Sequence, residues 1–346
     1  MATITGTNGN DFLGTDATNF NTPNTFNALA GDDLIRGGLA RDVMLGGDGN
    51  DLFDDTTLAA DLFDGGAGID RVTYERGAFT DQPGVDLRVD LAAGTAQFAQ
   101  GPAGGPTFAF DTLRSIEEVI GSRHEDRLVG DAKNNRLFGL DHDDELVGNG
   151  GHDFLFGGTG RDILRGGDGN DRITKIGDAQ GDVIDGGAGK DEVYYLDHVL
   201  VDTPLIPGPE LIVKLATGEA SYVVGSALNP VVVNDTLVNV ENVVGSFFVD
   251  RLEGDSKANV LQGIEGSDIL FGNGGNDVLM GGAEYDVMLG GGGADRFRYV
   301  AASDAAPGPI RDSINDFSRS QGDKIDLREI DANEQMDGNQ AFQFVG

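Results

Sequence analysis

Apolar residues recur along this chain at intervals of nine, and each stands two residues after a fixed polar position. In a central stretch the polar residues are Asp126, Asn135, Asp144, Asp153, Asp162 and Asp171. The apolar residues that follow them are Leu128, Leu137, Leu146, Leu155, Leu164 and Ile173. Alternation over so few residues is typical of a very short β-strand with one face directed inward. The pattern predicts three-residue strands joined by six-residue turns.

The same nine-residue spacing continues further along the central block and occurs in two other blocks of the chain. After a two-residue insertion, the central block resumes at Asp182 and Asp191. The N-terminal block carries Asp33, Asp42 and Asp51, and after a one-residue slip Asp61 and Asp70. The C-terminal block carries Asp250, Asn259, Asp268, Asp277, Asp286 and Asp295. The repeat predicts a solenoid in which two nonapeptides complete one flattened coil and the apolar residues stack into a thin core.

The turns between these strands are rich in glycine. The stretch GGTGRDILRGGDGNDRI at 157–173 contains Gly-Gly-x-Gly-x-Asp twice, and 55 of the 346 residues are glycine. Only 10 residues are proline and no Gly-X-Y period occurs, so a collagen helix is excluded. Glycine permits backbone angles that a side chain forbids, so that carbonyl groups can be directed at one centre.

The charge of the chain indicates what such a centre would bind. There are 24 basic and 59 acidic residues, a formal net charge of −35, which opposes a compact state unless cations lie among the carboxylates and makes nucleic acid an unsuitable partner. Calcium takes six to eight oxygen ligands, among which carboxylates and carbonyls are preferred. The absence of cysteine excludes disulfides and thiolate sites. The sequence therefore predicts multiple bound Ca²⁺ ions.

With these nonapeptides the chain resembles the RTX family of hemolysin-type calcium-binding repeats. The resemblance implies an all-β fold, a parallel β-roll in three blocks with strand-rich inserts between them. It also implies that one calcium ion lies between turns stacked on the same edge, so that the aspartates sharing an ion are 18 residues apart. The pairs that meet this spacing are Asp33/Asp51, Asp126/Asp144, Asp144/Asp162, Asp153/Asp171, Asp250/Asp268, Asp268/Asp286 and Asp277/Asp295.

The predicted ligands are carboxylates of all three blocks and carbonyl groups of the most regular turns. The carboxylates belong to Asp33, Asp42, Asp51, Asp61, Asp70, Asp126, Asp144, Asp153, Asp162, Asp171, Asp182, Asp191, Asp250, Asp268, Asp277, Asp286 and Asp295. The glycines are Gly157, Gly158, Gly160, Gly166, Gly167, Gly169, Gly186, Gly187 and Gly189. Because Asn135 and Asn259 are neutral, their sites are expected to be weaker or empty. His124, His142 and Glu284 replace the fourth-position glycine, and their turns are expected to deviate.

Two longer inserts separate the blocks. DTLRSIEEVIGSRHEDRLVGDAKNN at 111–135 aligns without gaps on DTLVNVENVVGSFFVDRLEGDSKAN at 235–259, which indicates a duplicated unit of insert plus roll. The predicted segments are repeat blocks at 1–72, 121–193 and 245–298, strand-rich inserts at 73–120 and 194–244, and a C-terminal segment at 299–346. In GADRF, IRDSINDF, GDKIDL and NQAFQF the last segment resembles the C-terminal domain of serralysin-type secreted metalloproteases.

No catalytic motif accompanies the repeats. HExxH, GxSxG and the phosphate-binding GxxxxGK[ST] motif are absent, and the nearest approach to the first, HEDRL at 124–128, lacks the second histidine. The sequence predicts a non-enzymatic protein that is structural or adhesive, or that serves as a secretion and folding module. The alternative is the non-catalytic region, or a companion, of an exported hydrolase or polysaccharide-modifying enzyme, with a glycan-binding surface.

Location and partners follow from the same features. The N-terminal sequence has neither a basic nor an apolar region of the kind found in a cleavable signal peptide, and no apolar run is long enough to span a membrane. We expect a bacterial protein that is secreted or held at the cell surface. Its expected partners are calcium ions, a type I secretion apparatus, and a cell-surface or polysaccharide ligand.

Overall fold

The computed structural model describes residues 2–14, 21–55, 57, 59–76, 85–100, 107–176, 178–197, 211–226, 229–301, 304 and 311–330. These residues form β-strands and turns and contain no α-helix. Within the same ranges, there is accordingly no helical segment with the length and apolarity needed to cross a membrane. The chain forms two compact units, the first of residues 1–174 and 182–191 and the second of residues 175–181 and 192–346.

The first unit is a coil whose strands alternate between two sheets. Its first sheet contains β1 (Ala2–Thr5), β3 (Asn24–Ala30), β5 (Val43–Asp48), β7 (Leu62–Ala67), β9 (Val85–Asp90), β10 (Thr95–Gln100), β11 (Thr107–Arg114), β13 (Arg127–Val129), β15 (Glu145–Gly150), β17 (Ile163–Asp168) and β19 (Val183–Ala188). Its second sheet contains β2 (Phe12–Gly14), β4 (Leu34–Arg36), β6 (Leu52–Asp54), β8 (Arg71–Thr73), β12 (Glu118–Ile120), β14 (Arg136–Asp141), β16 (Phe154–Thr159) and β18 (Arg172–Ile176). Within each sheet the roll strands pair in parallel.

The core of the first unit is a double stack of single side chains. In the first sheet Leu128, Leu146, Leu164 and Ile184 are in register on successive strands, and all are fully buried. Val119, Leu137, Leu155 and Ile173 form the corresponding stack in the second sheet. One apolar residue per strand fills the narrow space between the sheets, which explains the nine-residue period.

Several strands are longer than the three residues predicted. β17 continues through the glycine turn because Gly167 pairs with Gly187 of β19 and Asp168 pairs with Ala188. The turns therefore stack on one another through main-chain hydrogen bonds, as the strands do. This places the carbonyl groups of each turn directly against those of the next.

The second unit repeats the design. Its first sheet contains β21 (Leu211–Lys214), β22 (Glu219–Ser226), β23 (Asn229–Val238), β25 (Asp250–Glu253), β27 (Ile269–Phe271), β29 (Val287–Leu289) and β31 (Ser313–Ile314). Its second sheet contains β20 (Glu192–Asp197), β24 (Asn242–Val244), β26 (Val260–Ile264), β28 (Val278–Gly282), β30 (Arg296–Arg298) and β32 (Lys324–Asp326). β31 and β32 pair in parallel with β29 and β30, so the described part of the C-terminal segment continues the coil.

The inserts are incorporated into one sheet of the roll. β9, β10 and β11 form an antiparallel meander, in which β11 pairs in parallel with β7 and β9 pairs in parallel with β13. In the second sheet, by contrast, β8 and β12 pair directly. β21, β22 and β23 form the equivalent meander in the second unit, where β21 pairs with β25. The predicted parallel β-roll with strand-rich inserts is confirmed.

Candidate metal-binding turns

The carboxylates at the sixth position of each turn form ladders along the edges of the roll. The main-chain N–H of Asp126 donates to Oδ1 of Asp144 at 2.8 Å, and that of Asp144 donates to Oδ1 of Asp162 at 2.9 Å. The same bond joins Asp33/Asp51, Asp42/Asp61, Asp51/Asp70, Asp153/Asp171, Asp162/Asp182, Asp171/Asp191, Asp250/Asp268, Asp268/Asp286 and Asp277/Asp295. All the predicted aspartates are buried, and the seven predicted 18-residue pairs are confirmed as neighbours.

The first glycine of a turn leaves space that the carboxylate of the same turn occupies. A Cβ atom on Gly148 would lie 2.2 Å from Oδ2 of Asp153 and 2.5 Å from the carbonyl oxygen of Gly166. The equivalent position at Gly139 is bounded by Oδ2 of Asp144 and the carbonyl oxygen of Gly157. A carboxylate oxygen of one turn and a carbonyl oxygen of the next thus border the same small space. Both groups are acceptors, and a cation is the partner that suits two acceptors.

The second oxygen of many ladder carboxylates is buried and receives no hydrogen bond from any residue within the described ranges. This holds for Oδ2 of Asp33, Asp51, Asp70, Asp144, Asp153, Asp171, Asp268, Asp277, Asp286 and Asp295. A buried acceptor that lacks a donor costs about 1–3 kcal/mol, and more when it is charged. A cation with oxygen ligands would remove this cost, so the residues present fit calcium.

These turns share a backbone conformation, and we call them open turns. In the turn 46–51 the second and fourth residues, Gly47 and Gly49, have φ of 112° and 138°. Gly158, Gly160, Gly167, Gly169, Gly187 and Gly189 also have positive φ. The open turns are residues 28–33, 46–51, 65–70, 139–144, 148–153, 157–162, 166–171, 186–191, 263–268, 272–277, 281–286 and 290–295. His142 and Glu284 adopt φ of 79° and 83°, so their turns keep this geometry despite the missing glycine, and the expected deviation is wrong for these two.

In other turns, a main-chain N–H of the turn donates to the side chain of the sixth residue of the same turn, and we call these closed turns. The N–H of Ser122 donates to Oδ2 of Asp126 at 2.5 Å, and its hydroxyl donates to Oδ1 at 2.7 Å. Ser246 does the same for Asp250. The second-position N–H also donates to the sixth residue in Thr7/Asp11, Gly38/Asp42, Asp131/Asn135 and Asp255/Asn259. The deviation expected at His124 is confirmed, since its turn is closed.

Closed turns stand at the start of the central and C-terminal blocks. Asp126 and Asn135 precede the open turns of the central block, and Asp250 and Asn259 precede those of the C-terminal block. In the N-terminal block, Asp11 precedes Asp33 on one edge. The geometry thus distinguishes Asp42, Asp126 and Asp250 from the other predicted ligands, because protein donors already occupy their carboxylate oxygens.

Burial governs the ionisation of the ladder. Desolvation, followed by the charge of Asp126, raises the pKa of Asp144 to about 10. Desolvation and the charge of Asp250 raise the pKa of Asp268 to about 9. Burial raises the pKa of Asp153 to about 7. A ladder with no cation therefore favours the protonated carboxyl.

A tyrosine at the end of each block was missed by the sequence analysis. Tyr74, Tyr195 and Tyr299 stand two residues after the last core residue of their block and are buried. The hydroxyl of Tyr74 donates to Oδ2 of Asp111 at 3.4 Å, and Tyr299 lies close to Asp312. The signal was present in the strings DRVTY, DEVYY and DRFRY.

Aspartates outside the nonapeptides continue the ladders. Oδ1 of Asp111 accepts the main-chain N–H of Asp61 at 2.9 Å, and Oδ1 of Asp312 accepts that of Asp286 at 3.1 Å. Asp323 accepts from Asp295 at 3.1 Å and from the N–H of Ser318 at 2.7 Å. The described part of the C-terminal segment therefore ends one edge with a turn that resembles the closed turns. NQAFQF, at 339–344, lies outside the described residues.

Comparison with known proteins agrees with this geometry. The profile of the RTX calcium-binding nonapeptide repeat matches residues 20–53, 120–155, 147–174, 176–196, 244–279 and 271–299. No curated protein sequence matches the chain. Among solved structures, the extracellular lipase LipA from Serratia marcescens is 20% identical with a TM-score of 0.25, over 63% of this chain and 38% of the lipase. The chain thus spans well under half the length of that protein.

Proposed function

We propose, from the premise that this chain carries RTX calcium-binding repeats in three blocks, that it is a secreted protein that folds on binding calcium outside the cell. The observation that carries the proposal is a set of buried Oδ2 atoms in open turns, among them those of Asp144, Asp153 and Asp277, which lie beside carbonyl groups of the next turn and receive no hydrogen bond from the described residues. The closed turns supply their own donors and need no ion. The proposal assigns the chain no catalytic role.

An ion between two turns requires that both of them be open. Consecutive open turns on one edge carry the pairs Asp33/Asp51, Asp51/Asp70, Asp144/Asp162, Asp153/Asp171, Asp171/Asp191, Asp268/Asp286 and Asp277/Asp295. We therefore expect about seven calcium ions between turns, since each pair supplies carboxylate and carbonyl oxygens. Native mass spectrometry in millimolar calcium measures this number. Two or fewer bound ions would contradict the proposal.

The calcium concentration would also determine in which compartment the chain folds. Without the ion, folding must either hold like charges together in the ladders or protonate them, while many glycines lose backbone entropy. A ligand that binds only the folded state stabilises that state, and extracellular calcium modules work at about 10⁻⁴–10⁻³ M. The chain would thus remain largely unfolded in a calcium-poor cytosol, suited to a type I secretion apparatus, and fold after export. We infer a structural or adhesive role, or a role as a secretion and folding module.

A surface of the first unit favours glycan binding as the second candidate. The ring of Phe138 lies 5.5 Å from that of Phe154 and 6.1 Å from that of Phe156, all three half-buried on the outer face of the second sheet. The guanidinium groups of Arg136 and Arg172 lie 5.5 and 5.9 Å from the Phe154 ring. Exposed edges of aromatic rings with cations beside them suit an acidic polysaccharide. Glycan-array binding that Phe154→Ala abolishes would support this role, and an array without signal would contradict it.

A further inference from the structure

The second residue of an open turn differs according to the turn that precedes it on the same edge of the roll. Where the preceding turn is also open, the second residue is a glycine: Gly47, Gly66, Gly158, Gly167, Gly187, Gly282 and Gly291. Where the preceding turn is closed, the second residue carries a side chain although its φ is positive: Leu29, Leu140, Asn149, Ile264 and Asn273. The glycines belong to the same pairs of turns between which we expect calcium ions.

A main-chain carbonyl group explains why these second residues are glycines. A Cβ atom on Gly167 would lie 2.1 Å from the carbonyl oxygen of Asn149, which is the second residue of the preceding open turn. The equivalent distance is 2.1 Å at Gly187, from the carbonyl oxygen of Gly167. Contacts this short are sterically forbidden. Two consecutive open turns therefore leave no room for a side chain at the second residue of the later turn.

At two places the side chain on the second residue also supplies a hydrogen-bond donor. Nδ2 of Asn149 donates to the carbonyl oxygen of Gly130, the first residue of the preceding closed turn, at 2.8 Å. The sixth residue of that closed turn is the neutral Asn135, whose Oδ1 accepts the N–H of Asp131 at 2.7 Å. The corresponding bonds in the second copy run from Asn273 to Gly254, at 2.9 Å, and from Asp255 to Asn259, at 2.8 Å. Protein donors thus satisfy oxygen atoms that a cation would otherwise bind.

We propose that the second residue of an open turn determines whether a calcium ion lies between that turn and the preceding one, and that Asn149 and Asn273 exclude the ion and replace it with their amide groups. This inference rests on the proposed binding of calcium by the open turns. Glycine leaves the carbonyl oxygens accessible to a cation, whereas the asparagine side chain donates to one of them. The central and C-terminal blocks each begin with a pair of turns that is held together without metal.

Native mass spectrometry of the full chain in millimolar calcium tests the proposal with two variants. Asn135→Asp combined with Asn149→Gly should bind one calcium ion more than the wild type, because it adds the carboxylate and removes the amide that donates to Gly130. Glycine suits position 149, where φ is 73°. Asn135→Asp alone is the matched control. It should bind the same number of ions as the wild type, since a carboxylate such as that of Asp126 can belong to a closed turn.

The second copy provides an independent test of the same exchange. Asn259→Asp combined with Asn273→Gly should also add one ion, whereas Asn259→Asp alone should add none. Equal numbers of ions in the single and double variants, with folding verified by circular dichroism in calcium, would overturn the proposal. A wild type that binds two or fewer ions would instead contradict the function proposed for the open turns, so the two failures are distinguishable.

Discussion

The main-chain N–H of Asp153 donates to Oδ1 of Asp171, one coil further along the chain, at 2.8 Å. One oxygen of Asp171 therefore fixes the spacing of successive coils, while its Oδ2 is buried and receives no hydrogen bond from the part of the chain that the structure describes. Fixing the coil spacing requires only a hydrogen-bond acceptor, whereas binding a cation benefits from the negative charge of the carboxylate. Coil register and ion binding are thus properties of different atoms of one side chain, which mutation can separate.

Asp171→Asn should preserve the fold and reduce calcium binding. The amide oxygen can still accept the N–H of Asp153, but the charge is lost from the sites shared with Asp153 and Asp191. We expect the loss of at least one ion in calorimetric titration. Asp126→Asn is the comparison, because Ser122 already occupies both oxygens of Asp126. It should cost stability but no ion, and an equal loss of ions in the two variants would contradict the distinction between open and closed turns.

Gly158→Ala should destabilise the roll, whereas Gly150→Ala should have little effect. Gly158 has φ of 110°, and a Cβ there would lie 1.9 Å from the carbonyl oxygen of Leu140. A Cβ on Gly150 would meet nothing nearer than 3.8 Å. We expect a loss of about 1–3 kcal/mol for the first variant, and a change within about 0.5 kcal/mol for the second. Chemical denaturation in saturating calcium measures both, and similar values would refute the stacked-turn geometry.

In excess chelator the roll should be more stable at pH 5 than at pH 8. Burial raises the pKa of Asp153 and Asp277 to about 7 and that of Asp268 to about 9, above the ordinary Asp value of about 3.9. Between these values the folded state binds more protons than the unfolded state, so the free energy of unfolding falls as pH rises. Far-ultraviolet circular dichroism in chelator at the two pH values measures the folded fraction. A stronger β-sheet signal at pH 8 would contradict the raised pKa values.

Ser246→Ala should weaken a closed turn without changing calcium binding. The variant removes the hydroxyl that donates to Oδ1 of the buried Asp250 at 2.7 Å. Leaving a buried acceptor without its donor costs about 1–3 kcal/mol. We expect faster hydrogen exchange in 245–250 and an unchanged number of ions by mass spectrometry. Loss of an ion would indicate that this turn also takes part in a metal site.

The repeat architecture was predictable because it depends on local spacing. The nine-residue period of Leu146, Leu155 and Leu164 predicts alternating short strands, and the 18-residue spacing of Asp144 and Asp162 predicts which turns lie next to each other. Both predictions depend on the presence of a single core residue in each strand. A strand shifted by one residue would bring a polar residue into the core, so the sequence is compatible with few other strand positions.

The closed turns could not be predicted from the same spacing. GGLARD at 37–42 begins like an open turn and carries its aspartate in phase, yet the N–H of Gly38 donates to Asp42. The identity of the fourth residue does not by itself distinguish an open turn from a closed one, since His142 adopts positive φ while His124 belongs to a closed turn. Whether a turn is open or closed depends on the neighbouring coils. Tyr74 was missed for a similar reason, because its partner Asp111 is 37 residues away and reaches it only through the insert.

Calcium bound by the open turns should stabilise the folded roll, and a calcium titration followed by far-ultraviolet circular dichroism measures this stabilisation. Starting from the chain in chelator, we predict a weak β-sheet signal that rises cooperatively at about 10⁻⁴–10⁻³ M free calcium, with protease resistance appearing over the same range. A full β-sheet signal and full protease resistance in excess chelator at neutral pH would contradict it.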